Sequence, residues 1–459
     1  MNAFQKILGW RNTKSEKSCK ILVVVRLQVT EQFKKVGNII RKEESRRYVI
    51  PSAPGKRTPD DTKVTDMLYS CYGQAILGED AEKDFEEQLE AIKERYNSII
   101  RGLDLELSLD EEFKTIRTNF SKKIGRDYAA SRGEYLNGII MAAYLGYEFI
   151  DAAEVIVFDE NGNFDGDKTH EILSARLENT ERAVIPGFYG AKPDGSIQTF
   201  SRGGSDITGS IVAKAVHADM YENWTDVSGF LVTDPRIVEN PVPIETITYK
   251  ELRELAYMGA SVLHEDAIFP VRREGIPINI RNTNKPEDPG TLIVENTCRK
   301  PKYTITGIAG KTGFCSVIHR ESDDELRNWV WDEKILGVFE DCGISFEHMP
   351  SGIDTMTIFV HQSEFEQHEQ FVISNIHRAV QPDSIELESD LALIAVVGRG
   401  MKSTRGTAGR IFSALAHARI NVKMIDQGSS ELNIIIGVKN ADFEAAVKAI
   451  YDIFITAEL

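Results

Sequence analysis

Residues 201–218 read SRGGSDITGSIVAKAVHA, a glycine pair followed by an apolar stretch that predicts a helix from 207 to 218. Short apolar runs lie on both sides of it, AVIP at 183–186 and GFLV at 229–232, and both predict strands. Alternation of strands and helices is typical of a mostly parallel sheet with helices on both faces. Such sheets bind ligands beyond the carboxyl ends of their strands, so residues 201–206 are a candidate site.

The same alternation extends toward the start of the chain. KILVVV at 20–25 predicts a buried strand, residues 32–40 a helix, and YVIP at 48–51 a second strand. Residues 81–100 predict an amphipathic surface helix, because apolar residues recur there at steps of three and four. These apolar positions are Phe85, Leu89, Ile92, Tyr96 and Ile99. We therefore predict an α/β fold for this part of the chain.

Length and composition limit the possible classes of protein. A chain of 459 residues predicts two or three domains. The formal net charge of −17 argues against nucleic acid or an anionic membrane as the main partner, since both require clustered Lys and Arg. The sequence shows neither a secretory signal nor an apolar run of about 18 residues, the length of a membrane span. Its five cysteines are far apart and form no CxxC pair, which predicts no metal site and no disulfide framework and indicates a cytoplasmic location.

The composition changes near residue 300, where the basic stretch CRKPK at 298–302 predicts a linker. Beyond it, residues 335–360 align with residues 411–436, an offset of 76 positions (411 minus 335). Each copy predicts a helix, a strand, a turn and a strand. Two such copies favour tandem α+β domains over one irregular domain.

The residues at 201–206 suit the binding of an anion. Gly203 and Gly204 let the backbone approach a ligand closely, and Ser205 or Asp206 is predicted to cap the helix that follows. The free N–H groups and the dipole of that helix favour an anion, and Arg202 can hold a carboxylate through two hydrogen bonds. A simple capped turn is an equally open interpretation of these residues alone.

Three further segments accompany this one in a fixed order. SRGE at 131–134 opens a predicted helix, WTDVSG at 224–229 precedes TDPR at 233–236, and MGASVLH occupies 258–264. The ordered set resembles the aspartate kinases of the amino acid kinase family, from about residue 32 onward, and the repeat resembles their ACT domains. The resemblance implies a mostly parallel-sheet amino acid kinase domain at 1–300, followed by two α+β ACT (ferredoxin-like) domains at 301–385 and 386–459.

The resemblance also implies an activity. ATP, with Mg²⁺, is expected to phosphorylate the β-carboxylate of L-aspartate, the first step of lysine, threonine and methionine biosynthesis. Feedback regulation by an amino acid, lysine or threonine, and a homodimer joined through the ACT domains are expected as well. Kinases of the same fold that act on glutamate or carbamate fit less well, because the tandem repeat and the segment 224–236 point to aspartate.

Matching positions imply a role for individual residues. The residues expected to bind aspartate are Arg202 for its α-carboxylate, Glu134 for its ammonium group, and Thr65. Asp206 is expected to be catalytic and to orient groups around the phosphates and the metal. The expected nucleotide-binding residues are Gly203, Gly204, Ser205, Thr225, Asp226, Leu231, Arg236 and Ser261. The expected effector-binding residues are Glu347, Ser351 and Asp354.

Other interpretations of these residues stay open. Glu134 could be an ordinary acid in the first turn of its helix, where the dipole favours it. Asp226 could be a turn residue. Some family members carry Tyr and Lys where this chain has Leu231 and Ser261.

The stretch after the first predicted strand departs from the family pattern of Lys-Phe-Gly-Gly followed by two hydroxyl residues. Here the strand continues into RLQVTE at 26–31. Arg26 is the candidate catalytic replacement for the lysine, whereas the glycines have no counterpart. One preorganised donor to a transition-state oxyanion contributes about 3–4 kcal/mol. The alternative is therefore a catalytically impaired, amino-acid-sensing regulatory homologue.

Overall fold

The computed structural model describes residues 21–25, 27, 29–201, 203–260, 269–320, 330–352 and 355–457. Within these ranges the chain forms two compact units, residues 21–228 with 269–292, and residues 229–260 with 293–457. The predicted boundaries at 300 and 385 stay a prediction.

The helices and strands are numbered in chain order. The helices are α1 (Thr30–Arg41), α2 (Val64–Leu77), α3 (Glu82–Gly102), α4 (Asp110–Ser121), α5 (Arg126–Leu145), α6 (Ala152–Val155), α7 (Gly166–Glu178), α8 (Gly204–Ala215), α9 (Tyr249–Tyr257), α10 (Phe269–Arg273), α11 (Val330–Asp341), α12 (Gln362–Glu366), α13 (Glu369–Val380), α14 (Thr407–His417) and α15 (Phe443–Tyr451). The strands are β1 (Ile21–Val25), β2 (Arg46–Pro51), β3 (Glu148–Phe149), β4 (Ala183–Val184), β5 (Tyr189–Ala191), β6 (Ile197–Thr199), β7 (Met220–Thr225), β8 (Thr246–Thr248), β9 (Ile278–Asn282), β10 (Thr291–Val294), β11 (Gly307–Arg320), β12 (Phe346–His348), β13 (Thr355–His361), β14 (Ser384–Val397), β15 (Met424–Asp426) and β16 (Asn433–Lys439).

The first unit contains a parallel sheet in which six strands lie in the order β3-β4-β2-β1-β7-β9. Strand β1 pairs in parallel with β2 and β7, and places Val25 opposite both Pro51 and Trp224. The pairs β7–β9, β2–β4 and β3–β4 are parallel too. The carboxyl ends of these strands therefore lie along one edge of the sheet.

The apolar core of this unit explains the β-branched run of β1 and the periodic apolar residues of α3. Val23, Val24 and Val25 are buried, as expected for a central strand covered on both faces. The predicted amphipathic helix is confirmed as α3, whose Phe85 and Tyr96 lie in the main apolar core with the other periodic residues.

One predicted strand is wrong. Residues 229–232 form no strand and contribute only a single bridge, from Leu231 to Pro243. The strand of this region is β7, whose sequence MYENWT includes buried Glu222 and Asn223. A search for apolar runs misses such a strand, because these polar side chains are buried with hydrogen-bond partners.

The second unit contains a six-stranded antiparallel sheet in the order β12-β13-β11-β14-β16-β15. Its two central strands, β11 and β14, pair with each other from Gly307 opposite Val397 to Arg320 opposite Ser384. The sequence repeat appears as α11–β12–β13 on one side of this pair and α14–β15–β16 on the other. The predicted order of helix, strand, turn and strand is present in both copies. Within the described part of the chain, every helix is too short or too polar to span a lipid bilayer.

Candidate active site

The carboxyl ends of β1 and β2 form the floor of the candidate site. The backbone N–H of Ser52 donates to the Val25 carbonyl at 3.1 Å, and that of Gly55 donates to the Leu27 carbonyl at 2.9 Å. The segment after β2 therefore folds across the end of β1. Parallel α/β sheets bind their ligands at this edge.

Helix α5 places Glu134 at this edge. The residue lies well inside the helix, which begins at Arg126, so the predicted helix start at 131–134 and the first-turn interpretation of Glu134 are both wrong. Its side chain is 93% buried, since the residue is 7% exposed. Among the described residues its Oε2 atom has no hydrogen-bond partner.

Burial sets the proton affinity of Glu134. Loss of water raises the pKa of its carboxyl to about 8, although the backbone N–H groups of Ala53 and of Glu134 itself and the charge of Arg132 act in the opposite direction. A positively charged ligand beside Glu134 would favour the ionised form and lower this pKa. The residue thus suits a ligand that carries an ammonium group.

Helix α2 brings Thr65 close to Gly133, the residue before Glu134. A Cβ atom added to Gly133 would lie 2.8 Å from the Ala53 Cβ and 3.7 Å from the Thr65 Oγ1. Only glycine permits this close approach of α2, α5 and the segment after β2. Thr65 and Glu134 are two of the predicted aspartate-binding residues, and Thr65 lies close to the residue that precedes Glu134 in α5.

Helix α8 begins at the same edge. Gly203 precedes the helix with a φ of 60°, and no side chain caps it, so the predicted capping by Ser205 or Asp206 is wrong. A Cβ atom added to Gly187 would lie 2.7 Å from the Ser205 Cα, and the Gly187 N–H donates to the Pro51 carbonyl at 3.5 Å. The uncapped N–H groups at this helix start, next to the end of β2, suit an anion.

Strand β7 orients Asp206. The Asp206 side chain is buried and its Oδ1 accepts a hydrogen bond of 2.7 Å from the Asn223 Nδ2. The Tyr221 hydroxyl donates to the Asp206 carbonyl at 3.3 Å. Sequence reasoning missed Asn223, although alternation along β7 places Tyr221, Asn223 and Thr225 on one face of the sheet.

Arg132 is a second residue that the sequence analysis did not single out. Its guanidinium is buried, 4.6 Å from the ring centre of Tyr128, 4.3 Å from that of Tyr135 and 5.4 Å from that of Tyr189. Three rings around one cation form a cation–π cage that holds positive charge close to Glu134. The tyrosines are spread over the sequence, so no local motif indicates the cage.

The carboxyl ends of β7 and β9 carry the predicted nucleotide residues of the first unit. The Thr225 carbonyl accepts bonds from the Thr283 N–H at 2.8 Å and from its hydroxyl at 2.9 Å. The Thr225 hydroxyl donates to the Asp226 carboxylate at 3.0 Å. Nearby, the Lys35 ammonium donates to Asn284 at 2.8 Å, which brings a cation from α1 to the end of β9.

Two predicted nucleotide residues belong to the second unit. Leu231 forms the bridge to Pro243, and the exposed Arg236 pairs with Asp234, with 2.5 Å between Nη2 and Oδ2. Hydrogen bonding to Arg236 lowers the pKa of Asp234. Arg26, Arg202, Ser261 and Asp354 lie outside the described residues.

The second unit also contains the predicted effector residues. Glu347 on β12 lies 3.2 Å from the His361 Nε2 and accepts a hydrogen bond from the Tyr257 hydroxyl. Burial, followed by that bond, raises the pKa of Tyr257 to about 12. Ser351 is exposed and donates to the Met349 carbonyl at 3.4 Å.

Within the described ranges, His, Cys, Asp and Glu side chains form no cluster of three or more that could hold a metal ion. A magnesium ion that arrives with ATP needs only one or two protein carboxylates beside the phosphates. Asp206 is a described carboxylate buried at the start of α8, where the helix suits an anion.

Comparison with known families shows to which protein family the chain belongs. Residues 27–282 match the amino acid kinase family, and residues 394–454 match an ACT domain. The chain belongs to the amino acid kinase family. The ACT match lies in the second copy of the repeat.

Individual similar proteins show which members of the amino acid kinase family this chain resembles. Aspartokinase 3 of Bacillus subtilis (strain 168) is 39% identical over 446 residues, which cover 93% of this chain and 96% of that protein. The crystal structure of aspartate kinase from Clostridium acetobutylicum is 49% identical with a TM-score of 0.89, and covers 95% of this chain and 100% of that one. The predicted family, fold class and aspartate kinase activity are therefore confirmed. The comparisons give no support to the alternative of a catalytically impaired homologue.

More distant relatives share the fold. Structures of E. coli aspartokinase III, in complex with aspartate and ADP or with lysine and aspartate, have TM-scores of 0.70 and 0.69 at 21% and 22% identity. They cover 95% and 94% of this chain and 99% of each of those chains. The chloroplastic bifunctional aspartokinase/homoserine dehydrogenase 2 of Arabidopsis thaliana is 28% identical over 464 residues, which cover 93% of this chain and 49% of that protein. This chain thus spans about half of that bifunctional relative.

Proposed function

We propose that the chain transfers the γ-phosphoryl group of ATP to the β-carboxylate of L-aspartate, with Mg²⁺ on the phosphates. The observation that carries the assignment is that Glu134 and the start of α8 both lie close to residues 51–53. Glu134 accepts from the Ala53 N–H, while Gly187 joins Ser205 to Pro51. A carboxylate that suits an ammonium group and a helix start that suits an anion therefore lie against the same segment, which supports the assignment.

The aspartate sits with its ammonium group on Glu134 and its α-carboxylate on Arg202, close to Thr65. A β-carboxylate oxygen attacks the γ-phosphorus, the bond to the β,γ-bridging oxygen breaks, and ADP leaves with 4-phospho-L-aspartate as the product. Such transfer depends on positioning and on charge stabilisation rather than on covalent help from the protein. Asp206, held by Asn223, would hold the metal that neutralises the phosphates and would orient both.

The phosphates contact Gly203, Gly204 and Ser205 at the start of α8, where N–H groups and the dipole stabilise negative charge. Arg26 supplies a further cation. The rest of the nucleotide contacts Thr225, Asp226, Leu231, Arg236 and Ser261. The ADP complex of E. coli aspartokinase III, a protein of the same fold, supports a nucleotide in this fold.

Regulation is proposed to act through the second unit. Lysine or threonine binds at Glu347, Ser351 and Asp354, and the lysine complex of E. coli aspartokinase III supports an amino-acid effector. We further propose ACT domains at 301–385 and 386–459 after a kinase domain at 1–300, and a homodimer joined through the ACT domains. The proposed role is the first step of lysine, threonine and methionine biosynthesis in the cytoplasm, and the free state of the described cysteines agrees with a reducing compartment.

A coupled assay of ADP release with L-aspartate, ATP and Mg²⁺ tests the activity, and hydroxylamine trapping identifies the acyl phosphate. Turnover of roughly 1–100 s⁻¹, the ordinary range for kinases, is expected. L-Glutamate and carbamate serve as control substrates. Absence of trapped product would contradict the proposal. Slow turnover that rises at least ~10²-fold when Lys-Phe-Gly-Gly-Ser-Ser replaces residues 26–29 would instead support the impaired alternative.

A further inference from the structure

A cavity of about 220 Å³ in the second unit has no role in the proposed reaction. Its walls come from residues 242–246, residues 299–303, Ile305, Thr306, Val232 and Arg399. None of the residues proposed to bind nucleotide or effector lines it. A single water occupies about 30 Å³ of liquid, so the cavity has room for a small organic molecule.

The cavity is strongly basic. Arg299, Lys300, Lys302 and Arg399 line it, against the lining carboxylate Glu245 and the buried Glu251 that pairs with Arg399. This concentration of positive charge stands out in a chain with a formal net charge of −17. Like charges around a small space repel one another, and an anion between them relieves that repulsion.

Arg399 is held in place by its other contacts. Its Nη1 lies 2.9 Å from Oε2 of the fully buried Glu251, and its backbone N–H donates to Oε1 of the same residue at 2.9 Å. The Thr306 hydroxyl donates to that Oε1 at 2.5 Å. The buried Nε of Arg399 has no partner among the described residues. The guanidinium is therefore positioned by the fold and keeps hydrogen-bonding capacity.

Tyr303 provides independent evidence that the cavity binds a polar molecule. The residue is 9% exposed, and its hydroxyl is buried with no partner in the described part of the chain. The Lys302 ammonium lies 5.2 Å from the centre of its ring. Tyr303 lines the cavity, and because native structures rarely bury a hydroxyl without a hydrogen bond, its unpaired hydroxyl points to a polar partner.

We propose that this cavity binds a small organic anion through a carboxylate or phosphate group. Lys300 and Lys302 neutralise its charge, and the Tyr303 hydroxyl donates a hydrogen bond to it. Val232, Ile244 and Ile305 pack against its carbon skeleton. Since Arg399 and Thr306 both contact Glu251 of α9, an occupant stabilises the junction of α9 with the ends of β11 and β14.

Calorimetry and thermal unfolding of the full chain test the proposal, with inorganic phosphate and citrate as probes at constant ionic strength. At least one probe is expected to bind saturably and raise Tm, which sodium chloride does not do. Binding of phosphate alone indicates a phosphate ligand, and binding of citrate alone indicates a carboxylate. The double variant Lys300→Gln/Lys302→Gln should weaken binding at least tenfold.

Tyr303→Phe separates a ligand contact from a structural role. It should leave Tm of the free chain unchanged or higher, because the unpaired hydroxyl is removed, yet weaken probe binding at least fivefold. The double variant Lys83→Gln/Lys114→Gln, on exposed helix faces of the first unit, is the matched control and should bind normally. Failure of both probes to bind would overturn the proposal. Binding that the cavity variants retain would overturn the proposal too, because such binding would occur at another anion site, such as the proposed ATP site.

Discussion

Arg46 and Glu222 form an ion pair inside the parallel sheet, with 2.7 Å between Nε and Oε2 and side chains 9% and 1% exposed. The Trp224 indole N–H donates to the same oxygen at 2.8 Å, and the Arg281 Nη1 lies 3.5 Å from Oε1. The pair joins β2 to β7 across the central strand β1. Arg46 begins β2, so the pair lies toward the strand starts, away from the edge that carries the candidate site. Its role is structural.

Glu222→Gln should destabilise the chain by about 3 kcal/mol, because breaking a buried pair leaves uncompensated charge on Arg46. Thermal unfolding should show a Tm lower by roughly 6–12 °C for the transition of this unit. Arg46→Met/Glu222→Met removes both charges and should recover part of the loss. A single variant as stable as the parent would refute the structural role of the pair.

The affinity for aspartate should depend on pH through Glu134. The ammonium group needs an ionised carboxylate, and burial raises the pKa of Glu134 to about 8 in the free chain. Calorimetric affinity should therefore fall by about tenfold per pH unit below that value. Glu134→Gln should bind aspartate weakly at every pH, whereas the exposed control Glu160→Gln should keep the parent profile.

The Glu134 carboxyl also makes the stability of the folded chain depend on pH, in the direction opposite to the affinity for aspartate. Its pKa in the folded chain lies above the ordinary value of 4.5, so the folded chain holds this proton more tightly than the unfolded chain does. Stability should fall as pH rises from 4.5 to about 8. Glu134→Gln should consequently unfold at a higher temperature than the parent at pH 8. If Glu134→Gln has an equal or lower Tm than the parent at pH 8, burial of the ionised Glu134 carboxylate does not destabilise the folded chain.

Asp206→Asn should lower kcat by about 10²–10³, the effect of one preorganised electrostatic group, and change the KM for aspartate only a few-fold. The substitution removes the charge that is proposed to act on the metal and phosphates but conserves the shape of the side chain. Steady-state kinetics measures both parameters, and Asp194→Asn, in an exposed turn, is the control. A large rise in KM at constant kcat would assign Asp206 to aspartate binding instead.

Tyr257→Phe should make the chain more sensitive to its amino-acid effector. The Tyr257 hydroxyl donates to Glu347, the proposed partner of the effector ammonium group, so ligand and hydroxyl compete for one carboxylate. Removing the hydroxyl should lower the half-inhibitory effector concentration by about tenfold, with uninhibited kcat unchanged. Glu347→Gln should raise that concentration. Equal sensitivity of parent and Tyr257→Phe would exclude the competition.

The general fold followed directly from local patterns in the sequence. The β-branched run at 20–25 predicted the buried central strand, and apolar periodicity predicted α3, because burial on one or two faces imposes those periods locally. The repeat after residue 300 predicted the order of elements in each copy. Polar strand β7 escaped prediction because its buried Glu222 and Asn223 depend on partners from distant segments.

The sequence by itself determined the residue types for the chemistry, since glycines, an arginine and carboxylates in a fixed order identify a kinase family. Only the tertiary structure decided how they act. It buried Glu134 and raised its pKa, placed Arg132 among three tyrosines, and brought Asn223 to Asp206. Burial and electrostatic environment arise from side chains far apart in sequence, whose proximity is created by folding.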